Sequence, residues 1–384
     1  MKVKALKLKD RDYGEQWSKE VENHWDYEDF LTSEGWRKDW ISFDSALYNS
    51  GDDRVYLGIT SFDADIAKAY NRKTGCFDDL GFGRIADPYD AKFHHSLVKR
   101  EKDGCIYAAI ALLHEPEQQW DAPGGAIIKY DPVKNEISKF CIPIPHVYIQ
   151  AIVLDEQRDL LYAQCFPPEY LITCNLETKE VKNLGLIGTG IGGMAQCENI
   201  VLDDEGCLWG PHCLTRAWQS GPGPDARRIF RVPAGSDRVD FLKTGLPKTD
   251  GSYGYERMDA IFNFHDGCLY ATGGNGSIYR IDTKTGEAEY LFTPIKDRPS
   301  RLSGMVPAGN GCAYGVTGRA GKCELLKFDY LNSTYELLGE IRDNDISCWQ
   351  VHDLVITGDG TIYACENDNP YRSSYLWEIS GGIR

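Results

Sequence analysis

The sequence predicts an all-β fold: a seven-bladed β-propeller whose ring is closed by an N-terminal strand. A short signature recurs seven times, in which a turn containing Asp or Gly leads into an apolar–aromatic pair and then small residues. The copies read GDDRVYLG, KDGCIYAA, EQRDLLYAQ, DEGCLWG, HDGCLYAT, GNGCAYGV and GDGTIYAC. Their aromatic anchors are Tyr56, Tyr107, Tyr162, Trp209, Tyr270, Tyr314 and Tyr363, spaced by 51, 55, 47, 61, 44 and 49 residues. Composition agrees, because 39 glycines and 22 tyrosines within a 42% apolar chain suit strands joined by tight turns.

Each element follows from this unit. After most anchors comes a third strand and an Asp/Asn turn into a fourth, as in AIIKYDPVKNEI, LITCNLETKEV, SIYRIDTKTGEA and LLKFDYLNSTYEL. Four-stranded blades repeated around a ring leave only short, protected edges. Residues 41–380 hold the seven blades, and residues 1–384 are read as one propeller domain. Blade seven stops after SYLWEIS, one strand short, and the alternating KVKALKLK at residues 2–9 is predicted to supply the missing outer strand. Residues 10–40 then cross the surface, with a short helix around EQWSKEVENHW.

Charge and cysteine content narrow the function classes. A formal net charge of −16 argues against nucleic acid or an anionic membrane as the main partner, although local arginines can still hold a small anion. The thirteen cysteines are odd in number, form no CxxC and follow no apolar leader, so reduced thiols in the cytoplasm are expected. Cys105, Cys207, Cys268 and Cys312 share one repeat position, two before the anchor, and are read as packing residues.

The candidate site comes from blade geometry. The start of the innermost strand A and the end of strand B meet at the mouth of the central channel. His94 and His95 begin strand A of blade two, and His114 ends its strand B, twenty residues after His94. The same rule brings in His146, His212 and His352, leaving only His24 and the turn residue His265 elsewhere among eight histidines. Arg216, Arg257, Arg301, Arg319 and Arg372 fall at the same end, and Tyr148, Gln150, Trp120 and Trp218 add polar and stacking surfaces. Adjacent strand residues point to opposite sides, so one of His94 and His95 is expected to face the channel and the other to pack. The GxGxxG spacing of Gly188, Gly190 and Gly193 links blades three and four and lacks the strand–helix context of a dinucleotide fingerprint.

Clustered histidine and arginine with few paired carboxylates disfavour two-carboxylate glycoside hydrolysis. They suit β-elimination on a uronic acid, in which an arginine neutralises the carboxylate while histidines take and give protons. Asp44, Asp259 and Asp353 are scattered carboxylates, so no metal site and no cofactor are predicted, and a calcium ion in the channel is left open. Seven blades with one histidine at the start of blade two and another about twenty residues on resemble the propeller polysaccharide lyases. These are the ulvan and L-rhamnose-α-1,4-D-glucuronate lyases, with their related propeller α-L-rhamnosidases. The resemblance implies a catalytic pair of His94 (or His95) with His114, aided by Arg216 and Tyr148. The blade rule itself gives the expected binding residues Gln150, His146, His212, Trp218, Arg257, Arg301, Arg319, His352 and Arg372, and the elimination chemistry gives a uronate-containing oligosaccharide as the expected partner. An α-L-rhamnosidase-type hydrolase and a non-catalytic binding propeller remain alternatives.

Overall fold

In each DGC-type signature the turn aspartate does two jobs, and these explain why the signature recurs. In blade two, Asp103 Oδ1 accepts the Cys105 amide at 3.0 Å while its Oδ2 accepts the Tyr107 hydroxyl at 3.2 Å. Asp266 repeats this with Cys268 at 3.1 Å and Tyr270 at 2.6 Å. Asp203 holds the Trp209 indole N–H at 2.7 Å. One side chain thus closes the A–B turn and clamps the anchor four or six residues later. Gly104, Gly206, Gly267, Gly311 and Gly360 occupy these turns at φ between 68° and 85°, where a side chain is disfavoured.

The computed structural model describes residues 1–13, 38–114, 116–189, 195, 197–216, 218 and 221–381. Its sheets form seven antiparallel blades, each beginning with strand A on the inside. Blade one comprises Ile41–Asn49, Arg54–Ser61, Ala67–Asn71 and Cys76–Asp79. Blade two comprises Val98–Lys99, Ile106–Ala109, Ile127–Asp131 and Glu136–Cys141. Blade three is Ile149–Asp155, Leu160–Cys165, Tyr170–Asn175 and Val181–Leu186. Blade four is Val201–Leu202, Leu208–Leu214, Arg227–Val232 and Asp240–Phe241. Gly188 and Thr189, part of the glycine-rich link, add a short parallel strand to it. Gly190 and Gly193 lie outside the described residues.

Blade five is Met258–Asn263, Cys268–Gly273, Ile278–Asp282 and Ala288–Phe292. Blade six is Met305–Gly309, Cys312–Arg319, Lys322–Asp329 and Thr334–Glu340. Blade seven is Val351–Ile356, Ile362–Glu366 and Leu376–Ser380, completed by Lys2–Leu6. The latch predicted from KVKALKLK is therefore present, with Lys2 opposite Ser380 and Leu6 opposite Leu376. The helix expected around EQWSKEVENHW, and His24 with it, fall outside the described residues.

Apolar packing lies between blades, not at the centre. One buried cluster joins blades seven, one and two through Leu376, Tyr363, Tyr56, Phe43 and Tyr130. Further clusters join blades two and three, three and four, four and five, five and six, and six and seven. Full burial of each such side chain contributes ~1.5–3 kcal/mol, so neighbouring blades adhere face to face. All thirteen cysteines are free thiols; Cys105 is buried, and Cys207, Cys268 and Cys312 are half-buried, as packing residues would be. Among the described residues no helix is long and apolar enough to cross a membrane.

Candidate functional site in the central channel

The inner ends of the A strands carry a repeated irregularity that builds the site. In four blades, one extra residue interrupts the A–B pairing near the start of strand A. These residues are Asp44 between Phe43 and Ser45, Gln150 between Ile149 and Ala151, Asp259 between Met258 and Ala260, and His352 between Val351 and Asp353. A bulge of this kind releases one residue from the ladder and re-aims its side chain. Three of the four side chains, and the main-chain carbonyl of Asp44, converge on one buried polar cluster.

At its heart Glu198, which precedes strand A of blade four, meets two histidines from blades two and seven. Glu198 Oε2 lies 3.0 Å from His94 Nε2 and 2.8 Å from His352 Nε2. Both rings are anchored behind: His94 Nδ1 is 3.0 Å from the Gln150 carbonyl oxygen, and His352 Nδ1 is 2.6 Å from that of Asp44. The Gln150 side-chain amide lies 3.1 Å from His94 Nε2. Glu198 Oε1 takes a very short ion pair from Arg301, whose Nε reaches Asp259 Oδ2 at 3.1 Å. Asp259 also accepts Ser303 Oγ at 3.0 Å and Arg257 Nη2 at 3.2 Å.

Burial sets the protonation states. It pushes the His94 pKa down to about 4 and the His352 pKa down to about 3, outweighing the attraction of Glu198. Burial alone would raise Glu198, yet Arg301 holds its carboxyl well below the usual range. Beside this cluster, burial raises Asp44 to about 7 against the pull of Lys92, 3.7 Å away.

His95 differs from its neighbours. Its ring is half-buried, with Nε2 3.0 Å from the His352 carbonyl oxygen and its centroid 4.4 Å from that of His352. His94 also touches His352, at 4.5 Å between centroids. Both rings of the pair thus lie against His352, His94 buried and His95 half-buried. The chain at 92–95 runs as isolated bridges, with Ser96 N bonded to the His94 carbonyl at 2.7 Å, and regular strand pairing begins only at Val98. Strand alternation does not apply to such a segment.

The other predicted residues divide into groups. His114 and Tyr148 are together, 5.2 Å between ring centroids, with Tyr89 on the other side of His114 at 5.8 Å. Both are buried. His146 adopts φ 61°, bonds the Ala122 carbonyl through Nδ1 at 2.8 Å and meets Trp120. His212 lies within strand B of blade four and packs outward on Phe241, with its pKa pushed by burial down to about 4. Arg372 is committed to Glu366, with both nitrogens 2.8 Å from its oxygens. Arg216 is exposed and lies over the Trp218 ring at 5.8 Å, while Arg319 ends strand B of blade six, exposed. His265 is exposed in its A–B turn and pairs with Asp204 at 2.6 Å.

Glu198 and Lys92 were missing from the sequence-based set, and the donor set with them. His94, Glu198 and His352 place three potential metal-ligand atoms within 4.8 Å of one another, so the expectation of no metal ligands overlooked a buried cluster. Asp44 and Asp259 do reach the channel, whereas Asp353 bonds the backbone of blade one at Ala46, 2.9 Å away. Applying the strand-A rule to carboxylates as well as to histidine and arginine would have found Glu198.

No family model matches the chain, and no curated protein matches it. Solved structures do. A catalytically inactive virginiamycin B lyase from Staphylococcus aureus with quinupristin aligns at TM-score 0.61 and 13% identity, over 88% of this chain and 94% of that one. The extracellular domain of a putative hybrid two-component system from B. thetaiotaomicron aligns at TM-score 0.60 and 11% identity, over 90% of this chain but 39% of that one. The RRP9 WD40 repeats align at TM-score 0.59 and 8% identity, over 98% and 99%. At these identities the likeness shows the fold alone: this chain is a seven-bladed β-propeller with a polar, histidine-bearing channel.

Proposed function

We propose that the protein is a propeller lyase that breaks a sugar–uronate bond by β-elimination at the channel mouth, with His95 as the general base. The observation that carries this reading is the placement of His95. Its Nε2 faces the His352 carbonyl, so Nε2 keeps the proton and Nδ1 is the basic nitrogen of the neutral ring. Unlike His94 and His352, the ring is only half-buried and can meet a substrate. His95 Nδ1 takes the C5 proton, the freed electron pair forms the C4–C5 double bond, and the C4–O4 bond breaks. The departing O4 oxygen takes a proton from His114, at the same end of blade two.

Arg216, exposed beside Trp218, provides a cation and an aromatic face for the uronate and its neighbouring sugar. Arg301 and Arg372 are spent on internal carboxylates and take no part in binding the substrate's charge. A lyase among the similar propellers is compatible with this reading but argues only by analogy of fold.

The test is mass spectrometry on a rhamnose-capped glucuronide oligosaccharide incubated with the protein. Elimination yields an ultraviolet-absorbing uronate fragment one water lighter than the hydrolysis product. Free rhamnose with a saturated glucuronide would make the protein a glycosidase, and uncleaved uronides would point to binding alone.

A further inference from the structure

We propose that His94, Glu198 and His352 form a site for one first-row divalent metal ion inside the ring, the donors being the two Nε2 atoms and Glu198 Oε2. The case begins with the backs of the rings. Each Nδ1 faces a main-chain carbonyl oxygen, at 3.0 Å for His94 and 2.6 Å for His352. A carbonyl can only accept, so each Nδ1 carries its proton, and in the neutral ring Nε2 presents a lone pair. Those lone pairs and Glu198 Oε2 meet at 3.0 and 2.8 Å. Three lone pairs at that separation repel unless a cation lies between them.

The spacing suits a metal. Donors ~2.1 Å from an ion and ~90° apart are ~3.0 Å from each other, as on adjacent positions of a six-coordinate metal. Two imidazoles and a carboxylate are the donors of first-row metal sites with open positions, and they differ from the all-oxygen shells of calcium and magnesium. The surroundings also match a metal's outer shell, in which carbonyls fix the imidazole tautomer and a second group holds the free carboxylate oxygen. Here Arg301 holds Glu198 Oε1 and is in turn fixed by Asp259. The Gln150 amide nitrogen, 3.1 Å from His94 Nε2, donates to that lone pair and is the contact the ion would replace. Blades two, four and seven supply the ligands, so the ion would tie distant parts of the ring together.

The experiment uses full-length protein stripped with EDTA and titrated calorimetrically with Mn²⁺, Zn²⁺, Mg²⁺ and Ca²⁺. One Mn²⁺ or Zn²⁺ per chain is expected, with affinity falling at least ~100-fold in His352→Gln and in His94→Asn and unchanged in His265→Ala. If the ligand variants fail to fold, pulsed electron paramagnetic resonance of the Mn²⁺-loaded wild type decides, and coupling to two imidazole nitrogens is expected. Lack of stoichiometric binding, lack of nitrogen coupling, or preference for Ca²⁺ or Mg²⁺ would overturn the proposal. None of these readouts uses a sugar, so the site can stand or fall apart from the lyase reading.

Discussion

Replacing Arg301 with methionine removes the cation that two buried carboxylates share. Its side chain is 18% exposed, against 8% for Glu198 and 2% for Asp259. At 3.1 Å and an effective dielectric near 20, one such attraction is worth ~5 kcal/mol gross, offset by several kcal/mol of desolvation per ion. After the change Asp259 keeps Ser303 and Arg257, while Glu198 loses its one permanent cation. The expected loss is therefore that of breaking one buried pair, ~3–5 kcal/mol. Urea unfolding of the EDTA-treated protein, followed by tryptophan fluorescence, measures it. The triple variant Arg301→Met, Glu198→Gln, Asp259→Asn removes all three charges and should recover at least ~1 kcal/mol of the loss. A single-variant loss below ~1 kcal/mol, or a triple variant no more stable than the single one, would refute the view that uncompensated charge drives the effect.

Three other outcomes follow from the geometry. His95→Ala should lower kcat ~10²–10⁴-fold on the cleaved uronide while the melting temperature holds, and near-normal turnover would remove His95 as base. Tyr270→Phe deletes a hydrogen bond to Asp266 and should cost ~1.5–3 kcal/mol in urea unfolding. Tyr314→Phe, whose turn has Asn310–Gly311 in place of Asp–Gly, should cost under ~0.5 kcal/mol, and equal costs would deny the clamp its role. Deleting residues 1–7 uncovers the edge of Leu376–Ser380 and should lower the thermal midpoint and promote self-association, visible by sedimentation. An unchanged, monomeric truncation would show that the latch contributes little.

The ring was legible because its signature is a local physical unit. An aspartate or glycine turn, a clamped aromatic and small flanking residues must occur together in each blade, and Asp103–Tyr107 and Asp266–Tyr270 show why. The latch was legible from a strand missing at one end and an alternating stretch at the other. Much of the cluster was legible too, since His94, Gln150, Arg301 and His352 all lie at strand-A starts. Two features were hidden. Glu198 shares that position, but a lone carboxylate before a strand carries no spacing signal of the kind that marks His94 and His114. The bulges at Asp44, Gln150, Asp259 and His352 decide which side chains turn inward, and they depend on hydrogen-bond register across each blade. His94 and His95 escaped strand alternation for a related reason, since the chain there is not yet a ladder.

The latch has a consequence for when the channel becomes competent. Its polar cluster draws on every blade, from Asp44 in the first to His352 in the last, and the last blade is completed only when Lys2 lies beside Ser380. A nascent chain missing its final strand cannot assemble the constellation, however well its early blades have formed. Proteolytic fragments share that defect. Cutting the chain within an A–B turn and rejoining its neighbouring ends would, by contrast, preserve every inward residue. Any activity at this channel thus reports that the molecule's beginning and end have met.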